Sequence, residues 1–155
     1  MAIKATADEV VAESQLLLAY FPNCKTQVDL LAFISSRIED VDAEVKLAVG
    51  ANYLSTDANI QLLLHKAEIY LTLGRLWQTI KDVMDGYDAE ALPPEFVEPV
   101  EAANNRDFYL REGEKIISRF ETAPTEANFA KPYFGAAGTE TDANILETML
   151  GAGEV

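Results

Sequence analysis

The sequence predicts an all-α fold: an antiparallel bundle of about four helices with an extended C-terminal arm. Three observations predict it. Apolar residues recur at steps of three and four through most of residues 7–120, where a strand would need steps of two. Each apolar stretch opens on residues whose side chains suit a helix start. Proline or glycine then stands where a stretch should stop. The expected division is a helical bundle over residues 1–121 and an arm over residues 122–155.

The elements follow in chain order. Thr6-Ala7-Asp8-Glu9 is a capping box, in which the Thr hydroxyl accepts a backbone N–H and Glu9 reaches back. Val10, Val11, Ser14, Leu17 and Leu18 continue at helical spacing, and Phe21-Pro22-Asn23 should stop this helix. Thr26 with Asp29 forms a second cap. Leu30, Ile34, Ile38, Val41, Val45 and Ala48 or Val49 then make an amphipathic stripe. Glu39, Asp40, Asp42 and Glu44 sit beside that stripe, so the segment reads as one helix or as two with a break there.

The third long element opens on TDANI, residues 56–60. Thr and Asp supply oxygens for the unpaired N–H groups of a first turn, and the acid suits the positive end of the helix dipole. The same pentapeptide returns at residues 141–145; the flanks do not align, so capping chemistry explains it better than an internal repeat. From residue 56 the helix should run to about Asp85, with Gly86 beyond its end. Ile60, Leu63, Leu64, Ala67, Tyr70, Leu71, Leu76, Trp77, Ile80, Val83 and Met84 line it, widened by Leu62 and Leu73, so it should be central and packed on several sides. Residues 86–99 carry three prolines and read as a loop, with the last bundle helix starting near Pro94 or Pro99. Val100, Ala103, Phe108, Leu110, Ile116, Ile117 and Phe120 are its expected inner face, and Gly113 would let a neighbour approach closely.

After Phe120 the period fails, yet Phe129, Tyr133, Phe134, Ile145, Leu146, Met149 and Leu150 remain. A tail meant to stay solvated would be poorer in such residues. The terminal TDANILETML is capped but only about ten residues long, too short for a stable isolated helix. It needs a surface, either on its own bundle or on another chain.

Composition narrows the functional classes. A chain of 155 residues is one domain's worth and needs no disulfide or metal to hold a core. No apolar run has membrane-spanning length, and MAIKATADEV lacks the apolar block of a signal peptide. The single cysteine, Cys24, points to a reduced, intracellular setting. Twenty-six acids against twelve bases leave a net charge of −14, which disfavours sequence-reading contact with nucleic acid. Between Lys81 and Arg106 there is no basic residue, and Asp85, Asp88 and Glu90 stand in that interval. It is a solvated acidic surface or a wall that repels polyanions.

Catalytic and metal signatures are scarce. The one histidine, His65, stands with Glu68 in the reverse of the Glu-x-x-His order of di-iron sites, and it reads as a packed or surface residue. One His and one Cys do not furnish a usual zinc site. Asp82, Asp85, Gly86 and Asp88 have the wrong spacing for a calcium loop. The expectation is no catalytic residue, no metal and no cofactor.

The order of these parts resembles the head–tail connector (adaptor) proteins of tailed bacteriophages. The likeness lies in the capped first segment leading into the Leu30–Val49 stripe, in IQLLLHKAEIYLTLGRLW (residues 60–77), in DFYLREGEKIISRF (residues 107–120), and in a C-terminal arm. It covers roughly residues 5–120, plus the arm in character, and the family's motifs are degenerate. The resemblance implies a virion structural protein made in the host cytoplasm and placed at the head–tail interface. Its subunits would form a homo-oligomeric ring, usually a dodecamer, joining the portal protein to tail-side connector proteins. DNA would pass through without sequence-specific binding, and no membrane is involved. Carried onto this chain, Phe129, Tyr133, Phe134, Ile145, Leu146, Met149 and Leu150 become anchors toward the portal or a neighbouring subunit. Asp85, Asp88 and Glu90 become a candidate channel surface. Two rival readings stand beside it: a small acidic regulatory or chaperone-like helical protein with one protein partner, and a helical enzyme with an unrecognised carboxylate site.

Overall fold

The computed structural model describes residues 3–88 and 90–121. Among them are four α-helices and no strand: α1 (Ala7–Ser14), α2 (Gln27–Val49), α3 (Ala58–Asp85) and α4 (Pro99–Ser118). Short 3-10 turns at Leu18–Tyr20 and Gly50–Leu54 connect them. α3 is the centre of the bundle and packs against α1, α2 and α4.

The helix starts follow the predicted chemistry. Thr6 and Glu9 form a reciprocal capping box at α1, and Thr26 and Asp29 form one at α2. Asp57 caps α3 by accepting the N–H groups of Asn59 (2.8 Å) and Ile60 (3.3 Å). Pro99 occupies the first turn of α4, where its missing N–H leaves no bond unmade.

The first helix ends earlier than its periodicity predicts. Gln15 adopts a left-handed conformation (φ 49°) and closes α1 before Leu17 and Leu18. Leu17 is left exposed. The turn that follows buries Leu16, Tyr20 and Phe21 instead, and the Tyr20 ring packs on Trp77 and Phe96. Burial of two aromatic rings outweighs one strained residue, so the chain turns at Gln15 rather than at Pro22.

α2 is one unbroken helix. Leu30, Ile34, Ile38, Val41, Val45 and Val49 are its buried stripe. The acids do not break it: Glu39, Asp40 and Glu44 face solvent, while Asp42 turns inward.

α3 and α4 run antiparallel and touch at backbone distance. A Cβ placed on Gly74 would lie 2.5 Å from Leu110 Cδ2 and 3.1 Å from the Leu110 backbone nitrogen. A Cβ on Gly113 would lie 2.7 Å from Leu71 Cγ and 3.3 Å from the Leu71 nitrogen. Each helix thus offers a glycine seat to a leucine of the other. This close approach also corrects the inner face expected for α4. Val100 and Phe108 are exposed, and Ala102 and Gly113 are buried beside Ile116 and Ile117. Where backbones nearly meet, small residues belong at the seam and large ones are displaced outward. Leu62, expected on the widened face of α3, is likewise exposed.

Two apolar clusters result. One joins Leu30, Ile34 and Ile38 to Leu73, Leu76, Trp77, Ile80 and Met84, closed by Tyr20, Phe21 and Phe96. The other joins Val41, Val45 and Val49 to Leu64, Ala67, Ile116 and Ile117. The antiparallel order places the C-terminus of α2, the turn Gly50–Leu54, the start of α3 and the end of α4 at one end of the bundle. Asn52 Nδ2 donates to the Phe120 carbonyl there (2.9 Å). The loop after α3 lies at the other end.

Candidate functional site

At the loop end, Asp85 closes α3 and accepts a hydrogen bond from Lys81 Nζ (2.6 Å). Asp88 and Glu90 follow in the loop and are exposed. Asp85 and Asp88 share a cleft of about 610 Å³ with Tyr87, Phe96, Val97 and Glu98. The cleft combines an aromatic floor with a carboxylate rim. Phe96 is also part of the core, so the loop is anchored by an apolar residue and its acids face solvent.

The predicted anchors Phe129, Tyr133, Phe134, Ile145, Leu146, Met149 and Leu150 lie outside the described residues, as does the second TDANI. What the structure describes is the end of the bundle from which that segment continues. Leu47 is 87% exposed, Leu54 83% and Leu62 51%, on the last turns of α2, the connecting turn and the first turns of α3. These are exposed aliphatic side chains beside the exit of α4. Next to them a groove of about 370 Å³ runs between α2 and α4 over α3, with Val45, Ala48, Leu71 and Ile117 among its walls.

The strongest electrostatic feature was not anticipated as a site. Asp42 of α2 and Glu68 of α3 are both buried, with Tyr53 of the connecting turn hydrogen-bonded to Asp42. Lys46 Nζ reaches Asp42 Oδ2 at 2.9 Å. Burial pushes the Glu68 carboxyl up to about 9, reinforced by the Asp42 carboxylate beside it. For Asp42 burial works against the charge, but hydrogen bonds from Glu68, Tyr53 and Lys46 outweigh it and hold the carboxyl below its ordinary value. Burial and the bond to Asp42 push the Tyr53 hydroxyl up. The pair therefore carries one charge: Asp42 ionised, Glu68 protonated. Geometry supports that assignment, since Glu68 Oε2 has no well-formed partner and a proton there makes it a donor toward Asp42.

His65 is packed rather than ligating. Its Nδ1 lies 2.9 Å from the Ile3 carbonyl and its Nε2 lies 2.8 Å from Glu9 Oε1. A ring proton on Nδ1 donates to Ile3. Among the described residues no group of three or more His, Cys, Asp and Glu side chains is arranged to hold a metal ion. None of the described helices is long and apolar enough to cross a membrane.

A signal for the buried pair exists in the sequence. Leu64, Glu68, Thr72 and Leu76 stand four apart on the inner face of α3, so two polar residues interrupt an apolar row. Asp42, between Val41 and Val45, reads in sequence as one more solvated acid.

Searches against protein-family models, curated proteins and solved structures found no match to this chain. The fold and these surfaces define an all-α bundle with an acidic loop end, exposed aliphatic residues that include Leu47, Leu54 and Leu62 near the exit of α4, and a carboxyl pair buried between α2 and α3.

Proposed function

We propose that this chain is a structural assembly subunit, a head–tail connector (adaptor) that forms a ring between a phage portal and the tail and lets DNA pass. The observation that carries the reading is the surface beside the exit of α4. Leu47, Leu54 and Leu62 are exposed there, and the sequence beyond Glu121 is rich in aromatic and aliphatic residues. Exposed aliphatic groups on neighbouring segments of a bundle suit a protein–protein contact. Phe129, Tyr133 and Phe134 suit the same role, because aromatic rings bring much contact area at small entropy cost. In this reading residues 122–155 dock on the portal or on the neighbouring subunit. Asp85, Asp88 and Glu90, at the far end, face the channel, where like charge keeps DNA from adhering. The order of helices, with a long central α3 and a final α4 leading into the arm, is the order of parts that the resemblance is built on.

The test is the mass of the assembly formed with a portal protein, followed by electron microscopy. A closed ring of many subunits on the portal supports the reading. A complex of one or two copies with a single partner overturns it in favour of a regulatory or chaperone-like role. Deleting residues 122–155 should leave a folded bundle and abolish attachment; a truncated chain that binds the portal as before removes the arm from the account.

A further inference from the structure

Residues Ile3–Thr6 have no helix or strand of their own and lie as a strap over α3. The strap bridges both apolar clusters, Ile3 entering the one around Val41 and Leu64, and Ala5 the one around Ile38 and Trp77. Polar contacts add to this fastening. The Ile3 carbonyl meets His65 Nδ1 at 2.9 Å, and the Ala5 N–H donates to Glu68 Oε1 at 3.3 Å. Lys4 Nζ donates to Glu39 Oε1 at 2.7 Å. On the α2 side a cleft of about 610 Å³ is lined by Lys4, Ala5 and Thr6 of the strap and by Ala32, Ser35 and Glu39 of α2. Of these, Ala5 is the residue whose N–H reaches the buried Glu68.

We propose that Glu68 is a proton-operated latch for this strap: its protonated carboxyl keeps Ile3–Thr6 seated, and loss of the proton to solvent lifts the strap while α2, α3 and α4 stay folded. Every element packed around Glu68 bears on this. From α2 come the Asp42 carboxylate and the Lys46 ammonium, and from the connecting turn the Tyr53 hydroxyl. From the strap come the Ala5 N–H and, farther off, Lys4, which is itself paired with Glu39. On its own helix His65 is turned toward Ile3 and Glu9, and the Thr72 hydroxyl is buried without a partner. Ionised Glu68 would face ionised Asp42 with Lys46 already bound to Asp42. The Ala5 N–H favours the charged form, but one bond of 3.3 Å does not replace a hydration shell. Of the neighbouring elements, the strap is the one without a helix of its own, and it borders the open cleft.

The sign follows from linkage. The seated state holds a proton that the lifted state gives up, because exposure returns the carboxyl toward 4.5 from about 9. Seating therefore weakens as pH rises, by up to about tenfold per pH unit within that window, and levels off above it.

The experiment is amide hydrogen exchange on the full chain between pH 5 and 10, corrected for intrinsic exchange, with carboxyl ¹³C NMR reporting the protonation of Glu68. Protection at Lys4–Thr6 should fall about tenfold per pH unit, with Glu68 still protonated at pH 7 and the amides of α3 still protected. Glu68→Gln is neutral at every pH and keeps the acceptor for Ala5, so its strap protection should be flat. Three results would each overturn the latch: an equal fall in Glu68→Gln, a Glu68 carboxyl already ionised at pH 6, or α2–α4 opening together with the strap.

Discussion

Replacing Gly74 by alanine is the sharpest test of the α3–α4 seam. The new methyl group would lie 2.5 and 2.6 Å from Leu110 Cδ2 and Cγ, and 3.1 Å from its backbone nitrogen. Carbon atoms rest at about 3.5–4.0 Å, so the overlap is roughly 1 Å. The leucine can rotate away at about 0.5–1.5 kcal/mol, but the backbone nitrogen yields only if the helices part. Overpacking of this kind costs about 1–3 kcal/mol, and alanine returns up to about 1 kcal/mol through its better helix propensity. The net expectation is a loss of about 1–2 kcal/mol, or a Tm lowered by roughly 2–8 °C. Trp77, the single tryptophan, is buried with its indole N–H donating to Ser14 Oγ at 3.0 Å, so urea unfolding followed by its fluorescence is a direct assay. Adding Leu110→Ala should make the pair less damaging than the sum of the two single changes, by about 1 kcal/mol. If Gly74→Ala is neutral or raises stability by the helix-propensity amount, the helices are not in backbone contact and the argument fails.

Four further outcomes follow. Glu68 is raised from 4.5 to about 9 in the folded chain, so its contribution to stability is whole below pH 4.5 and gone above pH 9. Glu68→Gln should abolish a pH-dependent loss on the order of a few kcal/mol, read from urea midpoints at pH 5 and pH 9. His65→Ala leaves the buried Ile3 carbonyl without its partner and should lower stability by about 1–3 kcal/mol by the same assay, with exchange of the Lys4–Thr6 amides accelerated. Thr26→Ala removes the acceptor for the Asp29 N–H (3.2 Å) and should lower stability by about 1 kcal/mol in calorimetry, whereas Thr26→Ser should retain most of it. The chain truncated after Glu121 should keep the helical circular dichroism of the bundle but fail to co-sediment with portal rings.

The four helices were legible because their signals are local. Thr6, Thr26 and Asp57 cap whatever follows them, and the rows Leu30–Val49 and Leu64–Met84 bury the same face wherever the partner lies. The misread positions are those a distant contact decides. Leu17 and Leu18 keep helical spacing, yet Tyr20 and Phe21 find a better place against Trp77, Phe96 and Phe33 once the chain turns at Gln15. Phe108 looks like core in a row of apolar residues, but glycine at 74 and 113 draws the helices too close to admit it. Asp42 and Glu68 are among many acids in the sequence; only the packing of α2 on α3 takes these two out of water and leaves them one proton to share. Of the predicted site residues, Asp85, Asp88 and Glu90 are exposed, but Asp42 and Glu68 show that charge alone does not say which acids meet solvent.

The paired glycine seats have a mechanical consequence. They bear on sliding of α4 along α3. Leu71 and Leu110, each lodged over the other helix's glycine, act as two teeth of a ratchet, and sliding by one turn would drive each into an ordinary side chain. The two seats therefore fix the register of α4 on α3, and a displacement of α4 along its axis is resisted in the middle of the bundle rather than at its ends.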